Sequence, residues 1–169
     1  SAGPMAANVR MYKSPGYDVM KDFRHVMRIT TSDVLLVVGE SSGIGSVQEL
    51  IDKARANPGK LDYASGGVGT PSHLGVELFL HAAGITATHV PYKGASELVN
   101  AVLGNQVSFG MPIFAVAYPH VKGGKLKALG VAGAKRNPAL PEVRTLAEQG
   151  LQGVELTSWG GLSLPAGTP

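Results

Sequence analysis

Residues 65–74 read SGGVGTPSHL, and this stretch decides the fold. LDYAS, residues 61–65, has the composition of a short strand, and an amphipathic run over 71–83 follows, closed by Gly84. The quoted turn therefore carries a strand end into a helix start. Its glycines, Gly66, Gly67 and Gly69, let the backbone turn sharply and let another molecule approach closely. Thr70 stands where an N-cap belongs, and Pro71 stands at the first helical position, where its fixed φ suits the helix and its missing N–H costs nothing. The amides of Ser72 and His73 then point out of the helix start, with the positive end of the dipole behind them. Two readings stay open at this point: a socket for a small carboxylate or phosphate, to which Thr70, Ser72 and His73 add polar groups, or simply a tight, well-capped connection.

The same strand-to-helix step recurs along the chain. Val34-Leu35-Leu36-Val37-Val38 reads as a buried strand. Ser46 and Glu49 form a capping box for a helix over 47–56 whose Val47, Leu50, Ile51 and Ala54 share one face. Residues 87–92 are a strand and 96–103 a helix; 106–114 is strand-like, 115–122 a short helix despite Pro119, and 126–133 another strand. A short helix over 145–149 and an extended segment over 154–164 complete the order, while residues 1–24 are polar and irregular. Such alternation predicts an α/β layered fold with a mostly parallel sheet and flanking helices. In sheets of that kind ligands sit beyond the carboxyl ends of the strands.

A second turn repeats the design of the first. VPYKGASE, residues 90–97, ends a strand and opens a helix at Ser96, so Tyr92, Lys93 and Gly94 stand where the first turn has its glycines. A hydroxyl, an ammonium and fresh helix amides would face the same crevice. Against this, a lysine and a tyrosine at such places are also ordinary solvated and packing residues. Two such turns on successive strands weigh more than either alone.

Composition removes several functions. The chain has 169 residues, 44% hydrophobic and 16% charged, which suits one domain or one lobe with a buried core. Net charge is +3 with scattered basic residues, so nucleic acid is not an expected partner. With no cysteine, disulfides, thiolate metal sites and cysteine nucleophiles are excluded. The five histidines, at 25, 73, 81, 89 and 120, show no metal-ligand spacing, and neither a metal nor any other cofactor is expected. The glycines match neither a Walker A loop nor the dinucleotide fingerprint. Ser72 and His73 are sequence neighbours that do not face each other on a helix, no G-x-S-x-G elbow exists, and Glu77 and Glu97 read as solvated helix residues, so no catalytic set is evident. No apolar run approaches the roughly 20 residues of a membrane span. The start, SAGPMAANVRMYKSPG, has no hydrophobic region of the signal-peptide kind, and SAGP is readable equally as native or as a foreign remnant.

The succession SVQELIDKARANPGKLDYASGGVGTPSHLGVELFLHAAGITATHVPYKGASELVNAVLGNQV resembles the solute-binding receptors of tripartite tricarboxylate transporters, the Bug-type family. YDVMKDFRHVMRIT before it, and GKLKALGVAG, AKRNPALPEVRTLAEQGL and WGGLSLPAGTP after it, resemble the same family in the same order. The resemblance implies a type II periplasmic-binding-protein-like lobe, mostly parallel, in a periplasmic receptor that closes on a small carboxylate or amino-acid-like solute and hands it to a membrane permease. It also implies that the turns 65–73 and 91–96 clasp the ligand's carboxylate, with Ser65, Gly66, Gly67, Gly69, Thr70, Ser72, His73, Tyr92, Lys93 and Gly94 as ligand-binding residues and none as catalytic ones. Two departures are expected to matter. Much of the first lobe of such receptors has no counterpart here, which gives residues 1–28 as an irregular segment and hinge approach, 29–155 as the α/β solute-binding lobe and 156–169 as a return strand toward the other lobe. Ser108 stands where an aspartate commonly follows Gln-Val, with a local effect expected. Apolar surface left uncovered by the missing lobe would favour dimerisation. The rival readings are a ligand-sensing receptor for a signalling partner and, more remotely, a small hydrolase using Thr70, Ser72 and His73.

Overall fold

The structure, a computed structural model, describes Met5 and residues 13–168. Its elements run β1 Phe23–Asp33, β2 Leu35–Gly39, α1 Val47–Ala56, β3 Asp62–Ser65, α2 Pro71–Ala83, β4 Thr88–Pro91, α3 Ala95–Leu103, β5 Phe109–Gly110, α4 Phe114–Lys122, β6 Leu126–Val131 and β7 Thr157–Pro165, with short 3-10 turns at Glu40–Ser42 and Ala147–Gln149. Five strands form one sheet in the order β4-β3-β5-β2-β6, and β1 pairs with β7 in a separate two-stranded ribbon.

Val34 to Val38 are all fully buried, as expected of an apolar run without alternation. Both faces of β2 are covered. Val34, Leu36 and Val38 pack with Leu50 of α1 and Phe79 of α2, whereas Leu35 and Val37 pack with Leu98 and Val102 of α3 and Ala117 of α4. The result is a three-layer α/β/α arrangement with a hydrophobic cluster on each side of the sheet. Each fully buried leucine contributes about 1.5–3 kcal/mol relative to exposure, so these two clusters, not the few surface ion pairs, hold the lobe together.

β3 runs parallel to β4 and to β5, while β2 runs antiparallel to both β5 and β6. The sheet is thus mostly parallel, with β2 alone reversed. One consequence positions the site: the N-terminal end of β2 lies at the same edge as the carboxyl ends of the other four strands.

The capping box of α1 forms with a one-residue difference. Ser46 Oγ accepts the Glu49 N–H at 3.2 Å, but the Glu49 carboxylate takes the N–H of Gly45, at 2.7 Å, instead of that of Ser46. The predicted apolar face of Val47, Leu50, Ile51 and Ala54 is the buried one. Elsewhere the elements depart from their sequence reading. The segment 1–28, read as irregular, contains a strand from Phe23 onward. This strand is held by backbone pairing with β7 and stays largely exposed, so no hydrophobic alternation marks it. The strand expected over 106–114 is only Phe109–Gly110, because the Asp62 carboxylate takes the Ser108 N–H and Pro112 has no N–H to give. The helix expected over 145–149 is a single 3-10 turn. No helix among the described residues is long and apolar enough to cross a membrane.

Candidate functional site

Ser65, the last residue of β3, is fully buried, and its backbone carbonyl accepts the N–H of Tyr92 at 2.9 Å. That bond brings the first turn against the second. Their glycines touch: a Cβ placed on Gly66 would lie 3.2–3.3 Å from the backbone of Gly94, which is itself at φ +138° in a region open mainly to glycine. The residues singled out from sequence in the two turns therefore do meet at the carboxyl edge of β3 and β4.

Within the first turn every polar side chain has an internal task. Ser65 Oγ accepts the Gly67 N–H at 3.1 Å, and Ser72 Oγ accepts the Gly66 N–H at 2.9 Å. His73 Nδ1 accepts the Gly69 N–H at 3.2 Å. Thr70 occupies the N-cap position with extended backbone, yet its hydroxyl does not cap the helix. It turns back to donate to the Gly67 carbonyl at 2.6 Å and lies 2.9 Å from Ser72 Oγ. As a result the N–H groups of Ser72 and His73 find no acceptor among the described residues, as is usual for a first helical turn.

The second turn is similar. Gly94, not Ala95, is the N-cap residue, so α3 starts one residue before the expected Ser96. The Lys93 N–H donates to Glu97 Oε2 at 3.0 Å, and the amides of Ala95 and Ser96 are left at the helix start without an acceptor among the described residues. Tyr92 is half-buried and Lys93 is exposed. Two helix starts and one lysine therefore converge at one edge, each helix start favouring an anion by roughly 0.3–1 kcal/mol.

Beneath the first turn lies a stack that sequence reading did not assemble. His89 stacks against both Tyr63, at 4.9 Å between ring centroids, and His73, at 4.3 Å, and those two rings are themselves 6.5 Å apart. Its Nε2 is 2.6 Å from Ser65 Oγ. Burial first, and then the nearby His73, pull its pKa below the ordinary histidine value. The Tyr63 hydroxyl donates to the Glu77 carboxylate, and burial together with that bond pushes the phenol's pKa up. Glu77 is thus not a purely solvated helix residue: one turn along α2 from His73, it reaches back to β3. The signal was present as His73 and Glu77 at i,i+4 facing a strand tyrosine, but only the β3–β4 pairing, with Tyr63 opposite His89, completes it.

A cavity of about 540 Å³ opens at the same sheet edge, lined by Thr30, Thr31, Asp33, Ile113, Phe114 and Asn137, among others. The reversal of β2 brings the end of β1 there, and the Asn137 amide donates to Asp33 Oδ2 at 2.9 Å. None of these was singled out from sequence, because nothing local shows that β2 runs backwards.

The chemistry available is anion binding. The Ser72/His73 pair of a hydrolase is not assembled, since Ser72 Oγ faces Gly66 and His73 Nδ1 faces Gly69. Ser65 and His89 do pair, but Ser65 is fully buried and cannot reach a substrate. No group of three or more metal-ligating side chains converges among the described residues.

The model of the "Tripartite tricarboxylate transporter family receptor" matches residues 1–169. The UPF0065 protein of the gbd 5′ region of Cupriavidus necator is 41% identical over 152 residues, covering 90% of this chain and 46% of that protein. A protein of R. palustris solved with adipate superposes with a TM-score of 0.95 at 35% identity, over 99% of this chain and 56% of that one. MatC from Rhodopseudomonas palustris, solved with malate, gives 0.91 at 29% identity, over 99% and 57%. The chain spans about half the length of the curated relatives it matches. BugD, a periplasmic binding protein, superposes with a TM-score of 0.93 at 29% identity, over 99% of this chain and 56% of that one, and this α/β lobe, with its paired turns at one sheet edge, belongs to the tripartite tricarboxylate transporter receptor family.

Proposed function

We propose that this chain is the greater part of a lobe of a periplasmic receptor that captures a small carboxylate-bearing solute and delivers it to a tripartite tricarboxylate-type permease. The observation that carries the reading is the meeting of two helix starts across the Tyr92–Ser65 bond, with unbonded amides and Lys93 at one edge. A carboxylate is the group such a place accepts. Adipate and malate in the two similar structures are both dicarboxylates, and they support the same chemistry. Gly66 lets the two turns close on each other, Gly67, Gly69 and Gly94 leave room, the amides of Ser72, His73, Ala95 and Ser96 supply donors, and Tyr92 and Lys93 flank the carboxylate. The cavity beside Asp33 and Asn137 offers space for the rest of the solute.

In this reading residues 29–155 form the solute-binding lobe and 156–169 return toward a second lobe that closes over the ligand. The apolar side chains exposed on the ribbon, Val26, Met27, Ile29 and Leu162, favour dimerisation of the isolated chain, which sedimentation at increasing concentration tests.

Amide NMR titration with adipate, malate and succinate at millimolar concentration tests the carboxylate reading. Saturable shifts at 66–73 and 92–96 support it. Without the second lobe the affinity is expected to be weak, on the order of 1 mM. Absence of shifts at these amides, both here and in the full-length receptor, would refute it.

A further inference from the structure

We propose that His73 is a positioning residue for the first turn, holding Gly69 in its place only while the ring's Nδ1 carries no proton. The inference rests on the reading of that turn as a carboxylate site, since it concerns how the site is kept in shape.

The Gly69 N–H can only donate, so the Nδ1 facing it at 3.2 Å must be an acceptor. The proton of the neutral ring therefore sits on Nε2, which faces Glu77 Oε1 at 4.0 Å. Protonating the ring turns Nδ1 into a second donor aimed at the Gly69 N–H. That contact cannot survive. Gly69 is at φ +77° in a turn whose three glycines provide no side-chain packing of their own, so this bond is one of the few that define the turn's path. The other bonds run from Gly66 and Gly67 to Ser72, Ser65 and Thr70, all of which keep their partners when His73 is charged. Release is therefore local to Gly69 and to the adjoining helix start, whose amides the anion needs.

The side chain of His73 is 17% exposed, so solvent protons reach it. The titratable groups around it are few. From its own helix Glu77 faces Nε2. From β4 His89 stacks at 4.3 Å, and from β3 the Tyr63 ring lies 6.5 Å away, with its hydroxyl on Glu77. Ser65, also from β3, is uncharged and bonds to His89, not to His73. Stacking of the two rings fixes the plane of His73, so that Nδ1 stays aimed at Gly69.

The test is a titration of the labelled chain from about pH 8 to about pH 5.5, across the ordinary histidine range. The Gly69 amide resonance is expected to move along a curve with the same midpoint as the His73 imidazole, whose nitrogen shifts should show the Nε2–H tautomer at the upper end. His73→Asn keeps an acceptor, Oδ1, near the place of Nδ1 and cannot titrate there; the Gly69 curve should flatten. His73→Leu removes the acceptor, and Gly69 should resonate near its acid position throughout. With adipate as the probe, binding by the parent chain should weaken roughly tenfold between the two ends of the range, as expected for one lost hydrogen bond, and much less in His73→Asn. A Gly69 curve that ignores the His73 midpoint, one that persists in His73→Asn, or adipate affinity that holds or rises as Gly69 shifts would each overturn the proposal. If Gly69 follows His73 but adipate binds at no pH, the positioning role stands and the carboxylate reading falls.

Discussion

Tyr92 gives its backbone N–H to the carbonyl of Ser65 at 2.9 Å, and through this bond the turn after β3 lies directly against the turn after β4. The contact is so close that the first turn has no room for a side chain at Gly66, whereas Gly94 is restricted by its φ of +138° and not by space. Gly66→Val is expected to push its Cβ into the Gly94 backbone, 3.2 Å away, and to force the turns apart. The cost should be about 1–3 kcal/mol, typical of overpacking, together with loss of the amide shifts caused by carboxylates. Chemical denaturation and the titration described above measure both; unchanged stability would mean that the turns do not depend on each other.

Thr70 holds the first turn from its hydroxyl and from its N–H, both directed at the Gly67 carbonyl. Thr70→Pro removes both donors and also restricts Gly69, which precedes it at φ +77°. This change should damage the turn and the start of α2 together. Ser72→Ala is the milder partner experiment: it leaves the Gly66 N–H without an acceptor and should lower stability by about 1–2 kcal/mol. If Thr70→Pro in a full-length receptor bound solute normally, the assignment of this turn to the carboxylate would be wrong.

Ser108 donates both its N–H and its hydroxyl to Asp62 Oδ1, at 2.7 and 2.8 Å. In Ser108→Asp the hydroxyl donor is replaced by a second carboxylate beside the first. Half-exposure softens the repulsion, so a loss of about 1 kcal/mol is expected, smaller at acid pH where one carboxyl takes a proton. The effect should stay local, at the edge opposite the turns, with solute binding unchanged. Thermal unfolding at neutral and acid pH, with one binding isotherm, checks both parts.

Two groups whose pKa values are shifted downward contribute to the acid limb of stability. Glu148 is held to a pKa of about 2, against an ordinary 4.5, by its bonds with Arg136 first and then with the Thr145 N–H. Its folded value lies below the unfolded one, so its contribution is complete above about pH 4.5 and is lost as pH falls toward 2. His89 is also shifted downward, by burial and His73, so the unfolded chain takes up its proton first and stability declines as pH drops below the ordinary histidine value. Glu148→Gln should flatten the lower step and His89→Gln the upper one in a pH series of denaturant midpoints. A profile indifferent to both substitutions would contradict these assignments.

The sequence disclosed most where local chemistry and burial agree. Ser46 with Glu49 announced α1, the run Val34–Val38 announced a strand covered on both faces, and the glycine-rich turn ahead of Pro71 marked the edge where the two turns meet. It was silent where pairing partners lie far apart. Nothing near Phe23 reveals that it pairs with Pro165, since an exposed ribbon needs no apolar alternation. Nor does anything near His89 show that it will stack on both Tyr63 and His73, because that depends on the register of two strands. Thr70 was legible as a position but not as a bond, for a threonine hydroxyl can serve the helix or the turn and only geometry decides.

The ribbon of β1 and β7 has a kinetic meaning. Phe23 meets Pro165 across almost the whole described chain, and every other pairing in that ribbon also spans more than a hundred residues. Closing so long a loop has a large entropic cost, and the ribbon lacks a covered face of its own to offset it. It should therefore form after the five-stranded sheet has condensed and open before that sheet does. In hydrogen exchange its amides would be the first strand amides to lose protection, while those of β2 would be among the last.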